Sequence, residues 1–266
     1  MKSQHAFLAL LALSSGASPV FAQDSATAPL CTDRPTKSNA TCTVPEGSWQ
    51  VESDLPNVTR NDDGGVRTTT TYAINPYLKY GIDDHQDIEV NWAPQVRVRT
   101  DDGTARHTID GAGDVFVRYK VRFFSNDTVA IALLPYIKAP TANHDIGNRR
   151  WEGGVIVPIS ITLPNKFTLV LGPEVDALAD SSGTGRHAAY TNLVNLSRPI
   201  SDRLGIAVEY WTQDNHDPAG TIRQRSADVA LTVAATSTLQ FDVGANFGLN
   251  DATPDRQIYL GFSTRF

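Results

Sequence analysis

The chain has 266 residues, 41% hydrophobic and 20% charged, with a formal net charge of −6 and a mean hydropathy slightly below zero. Gly and Pro, at 19 and 15, are near ordinary usage; with apolar residues spread evenly, this excludes a collagen-like or low-complexity chain and a polytopic helical membrane protein. The acidic balance also argues against nucleic-acid partners, which are held by basic surface.

In chain order, residues 1–22 read as an export signal peptide. Lys2 is the positive end, Ala6 to Ala12 the apolar stretch, and Val20-Phe21-Ala22 the small-x-small cleavage pattern before Gln23. No cysteine follows the cut, so a lipoprotein anchor is not expected. Beyond it no apolar run reaches the ~18 residues of a membrane helix. Two exported classes remain: a soluble domain, or a closed barrel in an outer membrane.

Residues 23–47 contain no alternating run. Export favours a disulfide between Cys31 and Cys42 over a redox or metal role, since there is no CxxC spacing and no neighbouring His. Two readings of this segment compete. It folds into a barrel lumen as a plug, with Asp33, Arg34 and Lys37 pairing to wall charges, or it hangs as a periplasmic tail. The plug is preferred, because a bridge would be wasted on a tail.

From residue 48 to 266 the hydrophobic period is two. Ile88, Val90, Trp92, Val96 and Val98 alternate with Asp87, Glu89, Asn91, Gln95, Arg97 and Arg99. Val115, Val117, Tyr119, Val121 and Phe123 alternate with Arg118, Lys120 and Arg122. About twelve such segments follow one another, near 48–59, 68–80, 87–99, 113–123, 128–139, 153–163, 167–177, 187–198, 204–213, 223–234, 239–248 and 256–266. Most exceed the ~5 to 6 residues of a globular strand and approach the ~9 to 11 of a tilted membrane strand. Short connections (81–86, 124–127, 164–166, 199–203, 235–238) alternate with longer polar ones (60–67, 100–112, 140–152, 178–186, 214–222, 249–255). That rhythm is the one of an even-stranded up-and-down outer-membrane barrel with short periplasmic turns. A soluble sandwich, its oily faces turned inward, is the competing fold. Against it stands the last strand, whose Leu260, Phe262 and terminal Phe266 lie in phase and look like the C-terminal signature read by the barrel assembly machinery.

Thr32-Asp33-Arg34-Pro35-Thr36-Lys37-Ser38, then Thr43-Val44-Pro45-Glu46-Gly47 and Trp49-Gln50-Val51-Glu52, resemble the opening of the outer-membrane family named after the MetA pathway of phenol degradation. Pro135-Tyr136-Ile137-Lys138, Trp151-Glu152-Gly153-Gly154 and Asn246-Phe247-Gly248-Leu249 extend the similarity over nearly the whole exported chain. The resemblance implies an outer-membrane barrel passing small, often aromatic or hydrophobic, compounds.

If the apolar faces meet lipid, the pore lining includes Glu89, Arg97, Arg99, Arg118, Lys120, Arg122, Glu174, Asp176, Glu209, Asp228 and Asp242. Basic groups gather on the third and fourth strands and acidic ones on the seventh and the ninth to eleventh. They form either a transverse field that orients a solute or a salt-bridge network that closes the lumen. The expected function is a passive channel for a small solute; the alternative is a sealed structural or adhesin-like barrel whose external loops bind a partner. Expected surroundings are outer-membrane lipid and lipopolysaccharide. No catalysis, cofactor or metal is expected. His85, His107, His144, His187 and His216 fall in connections or at strand ends, without a His-x-Ser or Gly-x-Ser-x-Gly arrangement. Asp62-Asp63 and Asp101-Asp102, each followed by Gly, read as turn formers before calcium ligands.

Overall fold

The computed structural model describes residues 29–266, so the export signal and residues 23–28 lie outside the described residues. Seventeen strand segments build a closed antiparallel wall of twelve strands, because five of the twelve are each interrupted once. In order they are β1 (Trp49–Asp63), β2 (Val66–Ile74 and Tyr77–Asp83), β3 (Gln86–Trp92 and Gln95–Asp101) and β4 (Arg106–Gly111 and Val115–Ser125). Next come β5 (Val129–Ala139), β6 (Glu152–Ile156 and Ile159–Thr162), β7 (Thr168–Leu171 and Glu174–Ala179) and β8 (Arg186–Pro199). The last are β9 (Leu204–Asp217), β10 (Gly220–Ala234), β11 (Leu239–Gly248) and β12 (Arg256–Arg265).

Closure comes from β12 pairing with β1, with Gln50 opposite Arg265 and Arg60 opposite Arg256. At the base of this seam the Trp49 N–H donates to the Phe266 carbonyl and the Phe266 N–H donates to the Trp49 carbonyl, both at 2.9 Å. Among the described residues no strand edge is left unpaired, which is the condition for strands to stand in hydrocarbon.

Burial settles which side the oily faces take. Trp92, Val194, Tyr210, Phe241, Phe247, Ile258 and Leu260 are exposed, whereas Lys79, Asp87, Glu89, Lys120, Glu209, Asp228 and Asp242 are buried. A soluble sandwich would show the reverse. The side chains shielded by protein are ionic and those facing outward are apolar, so this is a transmembrane barrel with a polar interior.

The interruptions fall at Asn75-Pro76, Ala93-Pro94, Ala112 to Asp114, Val157-Pro158 and Gly172-Pro173. Proline brings no N–H to a ladder, yet its carbonyl still accepts: Trp92 donates to Pro76 at 3.2 Å, Ala132 to Pro158 at 3.1 Å and Val157 to Pro173 at 2.9 Å. Each break can shift the alternation by one residue. On β3, Asp87, Glu89, Asn91 and Ala93 point inward; past Pro94 the inward position is Val96, and Gln95, Arg97 and Arg99 are exposed. The lumen-lining expectation for Arg97 and Arg99 is therefore overturned. Tyr72, on the lipid-facing side by unbroken alternation, lines an internal cavity with Val96 instead, because the break at Asn75-Pro76 intervenes.

The connections at 60–67 and 214–222, read as long loops, are mostly strand. β1 and β2 meet at Gly64-Gly65, both with positive φ (55° and 84°), the geometry a tight hairpin needs and glycine supplies. Likewise β9 and β10 run on to Asp217 opposite Gly220.

Candidate functional site

Inside the wall, residues 29–47 rise from the seam, cross the lumen and descend along β3 and β2. The Cys31–Cys42 disulfide ties the two limbs of this loop. Near the start, the Gln50 side chain donates to the Cys31 carbonyl and the Arg265 guanidinium donates to Pro29 O at 3.2 Å. Near the end, the Val44 N–H donates to the Asp87 carboxylate at 2.9 Å, and Glu46 bridges to Gly81. A Cβ at Gly81 would lie 2.0 Å from the Pro45 carbonyl oxygen, so glycine is what lets the descending limb lie against β2.

The crossing residues divide the wall charges between them. Asp33 turns to the basic side, within 2.5 Å of Lys79 Nζ and 2.8 Å of Lys120 Nζ. Both lysines also meet wall carboxylates: Glu52 is 2.7 Å from Lys79, and Glu89 is 3.4 Å from Lys79 and 3.2 Å from Lys120. Burial alone would push the Asp33 carboxyl up, but the Lys120 and Lys79 charges and hydrogen bonds outweigh it and hold the group well below the usual carboxylate range.

Arg34 turns the other way. Its guanidinium lies 2.5 Å from Asp54 and 2.7 Å from Asp242, a second donor reaches Asp242 at 3.1 Å, and together they raise its already high pKa against the opposing effect of burial. Lys37 pairs with Asp228 at 2.6 Å and sits 4.9 Å from the Trp211 ring centre. The backbone N–H groups of Lys37 and Ser38 donate to the two oxygens of Glu209, at 3.0 and 3.1 Å. One short peptide thus offers a carboxylate to the lysines and two cations to the acidic wall. Among the described residues Arg34 and Lys37 are the ion-pair partners of Asp242 and Asp228, so with the peptide in place each buried carboxylate depends on it for its counter-charge.

The remaining wall charges are placed differently. Arg118 faces the lumen with its guanidinium 4.8 Å from the Tyr77 ring and 3.4 Å from Asn39 Oδ1. Glu174 shares a cavity with it, and Asp176 accepts a hydrogen bond from Tyr136 at 2.6 Å. Arg122, placed by its spacing in the lining, sits instead at the rim, donating to the Asp84 carbonyl at 2.8 Å and meeting the His85 ring at 3.1 Å. Arg97 pairs with Asp110 on the outside at 2.7 Å. Alternation alone does not single out Tyr77, Trp211 and Tyr259 as part of the site; each aromatic ring carries a cation from the crossing peptide or from Arg118.

Two cavities flank the crossing. One, of about 380 Å³, is lined by Tyr77, Arg118, Glu174, Trp211, Gln213 and Tyr259. The other, of about 390 Å³, opens toward the short-turn end beside Thr168, Ser197, Arg198 and Arg203. Arg34, Pro35, Thr36 and Asn39 line both. At the long-loop end, His187, on the inward-facing phase of β8, shares a 2.9 Å bond with Asp180, while on the outer face Asp62 and Asp101 hold Arg67 and Arg106. Asp102 caps its own turn, and hydrogen bonds from the Ala105 N–H and from Thr104 lower its pKa to about 2.

A family model described as "Putative MetA-pathway of phenol degradation" matches residues 32–266. Among solved structures, an outer membrane channel from Pseudomonas putida F1 is similar at 16% identity, over 85% of this chain and 98% of that one, with a TM-score of 0.68. The translocator domain of the autotransporter NalP from Neisseria meningitidis is similar at 12% identity, over 83% and 88%, with a TM-score of 0.50. At these identities the likeness is one of fold. No protein of curated function matches by sequence.

Proposed function

We propose, from the premise that this chain belongs to the family described as a putative MetA-pathway of phenol degradation, that it is an outer-membrane channel for passive passage of small molecules, aromatic compounds among them. It is reached through a cleaved export signal at residues 1–22, and no catalysis is assigned to it. The observation that carries the reading is the pair of cavities meeting at Arg34, Pro35, Thr36 and Asn39. The lumen is a path interrupted by one peptide rather than filled by wall side chains. Each half is large enough for a compound of one aromatic ring, and the upper half offers ring faces at Tyr77, Trp211 and Tyr259. Conduction then requires residues 31–42 to move as a tethered plug, after which Arg118, Lys79 and Lys120 would face Glu174, Glu209, Asp228 and Asp242 across open water. Such a transverse field, focused by low-dielectric walls, orients a dipolar solute in transit.

Single-channel recording of the refolded protein tests this, with liposome swelling against a panel of aromatic acids, sugars and amino acids. Conductance steps, made larger and more frequent when Asp33 and Arg34 are replaced together by Asn and Met, are the expected result. The multiple ion pairs of the crossing favour a second reading, a sealed barrel whose external loops do the work. Silence at every voltage in both proteins, with no swelling by any solute, would establish that reading in place of the channel.

A further inference from the structure

We propose that the outer surface of the barrel carries a binding site for the bisphosphorylated glucosamine headgroup of lipid A, formed by Arg60, Arg99 and Arg256. The proposal rests on the outer-membrane reading but not on conduction. Arg256 lies opposite Arg60, Arg60 opposite Thr69, and Thr69 opposite Arg99. Directly opposed residues of antiparallel strands share one face, so these three guanidinium groups stand in a single row crossing β12, β1, β2 and β3.

That row faces outward. Phe247, opposite Arg256 on the far side, is 47% exposed. The neighbours Asn246, Gln257 and Asn57 point the other way and bond to one another inside the lumen, at 2.7 and 2.8 Å. The break at Ala93-Pro94 is what turns Arg99 outward and brings it into line.

The height of the row fits a headgroup. Trp49 lies at the short-turn end of β1, and Arg60 follows about eleven residues later. At ~3.3 Å per residue and a tilt near 40°, the row stands ~28 Å above Trp49, just beyond the ~25 Å apolar band of such barrels. Directly below it, Ile258 and Leu260 are 52% and 50% exposed, an apolar surface for acyl chains.

The charges of the row are uncompensated, and its neighbours are not. Arg67 pairs with Asp62 at 2.6 Å, Arg106 with Asp101 at 2.8 Å and Arg97 with Asp110 at 2.7 Å. Among the described residues, Arg60, Arg99 and Arg256 have no such partner. Arg60 and Arg256 are moreover like charges directly opposite one another, an unfavourable cross-strand pair. A ligand carrying two phosphates reverses that sign, since guanidinium forks take phosphate oxygens two at a time. A phospholipid with one phosphate neutralises less of the row.

The test measures lipid binding to the full refolded barrel by native mass spectrometry, in EDTA so that no divalent ion bridges phosphate to Asp62 or Asp101. Wild type is expected to bind bisphosphorylated lipid A at least tenfold more tightly than its dephosphorylated form or phosphatidylglycerol. The variant carrying R60Q, R99Q and R256Q is expected to lose at least tenfold of that affinity, while R67Q, R97Q and R106Q together leave it unchanged. If the triple variant does not fold, R99Q alone is read, with about a threefold loss expected. Wild-type affinity in the fully substituted or single variant, or equal binding of phosphatidylglycerol and lipid A, would overturn the site. Gel mobility that does not change on boiling would instead overturn the barrel reading beneath it.

Discussion

Asp33 holds two lysines whose other ion-pair partners among the described residues are Glu89, met by both, and Glu52, met by Lys79. Replacing it by Asn keeps the shape and removes the charge, which in a buried ionic cluster costs about 3 kcal/mol. On the conduction proposed above, the open fraction of the D33N protein should therefore rise by about two orders of magnitude, read as open probability in planar bilayers. Because Lys120 and Lys79 depress its pKa against burial, the stabilisation from Asp33 is complete above the ordinary aspartate value of ~3.9. It is lost as pH falls through the depressed one. The difference between wild type and D33N should thus be constant from pH 5 to 8 and shrink below about pH 3.9. A difference that fades near neutral pH would assign the effect to another group. Arg34 is the mirror case: R34M leaves Asp54 and Asp242 facing each other, and a larger effect on opening than on barrel stability is expected, the latter read by thermal unfolding.

The crossing peptide owes its path to two anchors and one bridge. The C31S/C42S variant keeps every ion pair but loses the tie between the limbs, so its excursions should lengthen: dwell times in the open state increase while the gel mobility of the folded barrel is unchanged. In β3 a single proline separates two environments. A cysteine at Arg99 should react with a membrane-impermeant maleimide added outside, whatever occupies the pore, whereas one at Glu89 should be protected until the peptide moves. Equal reactivity would mean that the alternation is continuous through Pro94. The twelve strand positions, the closing Phe266 and the pairing partners Asp33, Arg34 and Lys37 are visible as period-two patterning and charge. The phase slips are not, because Asn75-Pro76 and Ala93-Pro94 keep a plausible alternation on both sides while exchanging its faces. For the same reason Arg97 and Arg99 read as lining, and the inward ring of Tyr72 as lipid-facing.

Across the barrel, tryptophans report both surfaces at once. Trp49 and Trp92 are 43% and 44% exposed on the outer wall, and Trp211 lines the lumen beneath Lys37. Brominated lipids should quench the first two strongly and leave Trp211 emitting, whereas aqueous iodide should show the opposite order once the peptide is displaced. The wall is also uneven in height. β8, β9 and β10 have 14, 14 and 15 residues, so at ~3.3 Å per residue and the usual tilt they reach ~35 Å or more. The hydrocarbon band covers only part of that length. The hairpin tip at Pro218-Ala219 consequently stands above the hydrocarbon, as does the β1–β2 tip at Gly64-Gly65, and a short peptide tag spliced between Pro218 and Ala219 would be displayed to antibodies on intact cells away from the ion pairs of the crossing peptide.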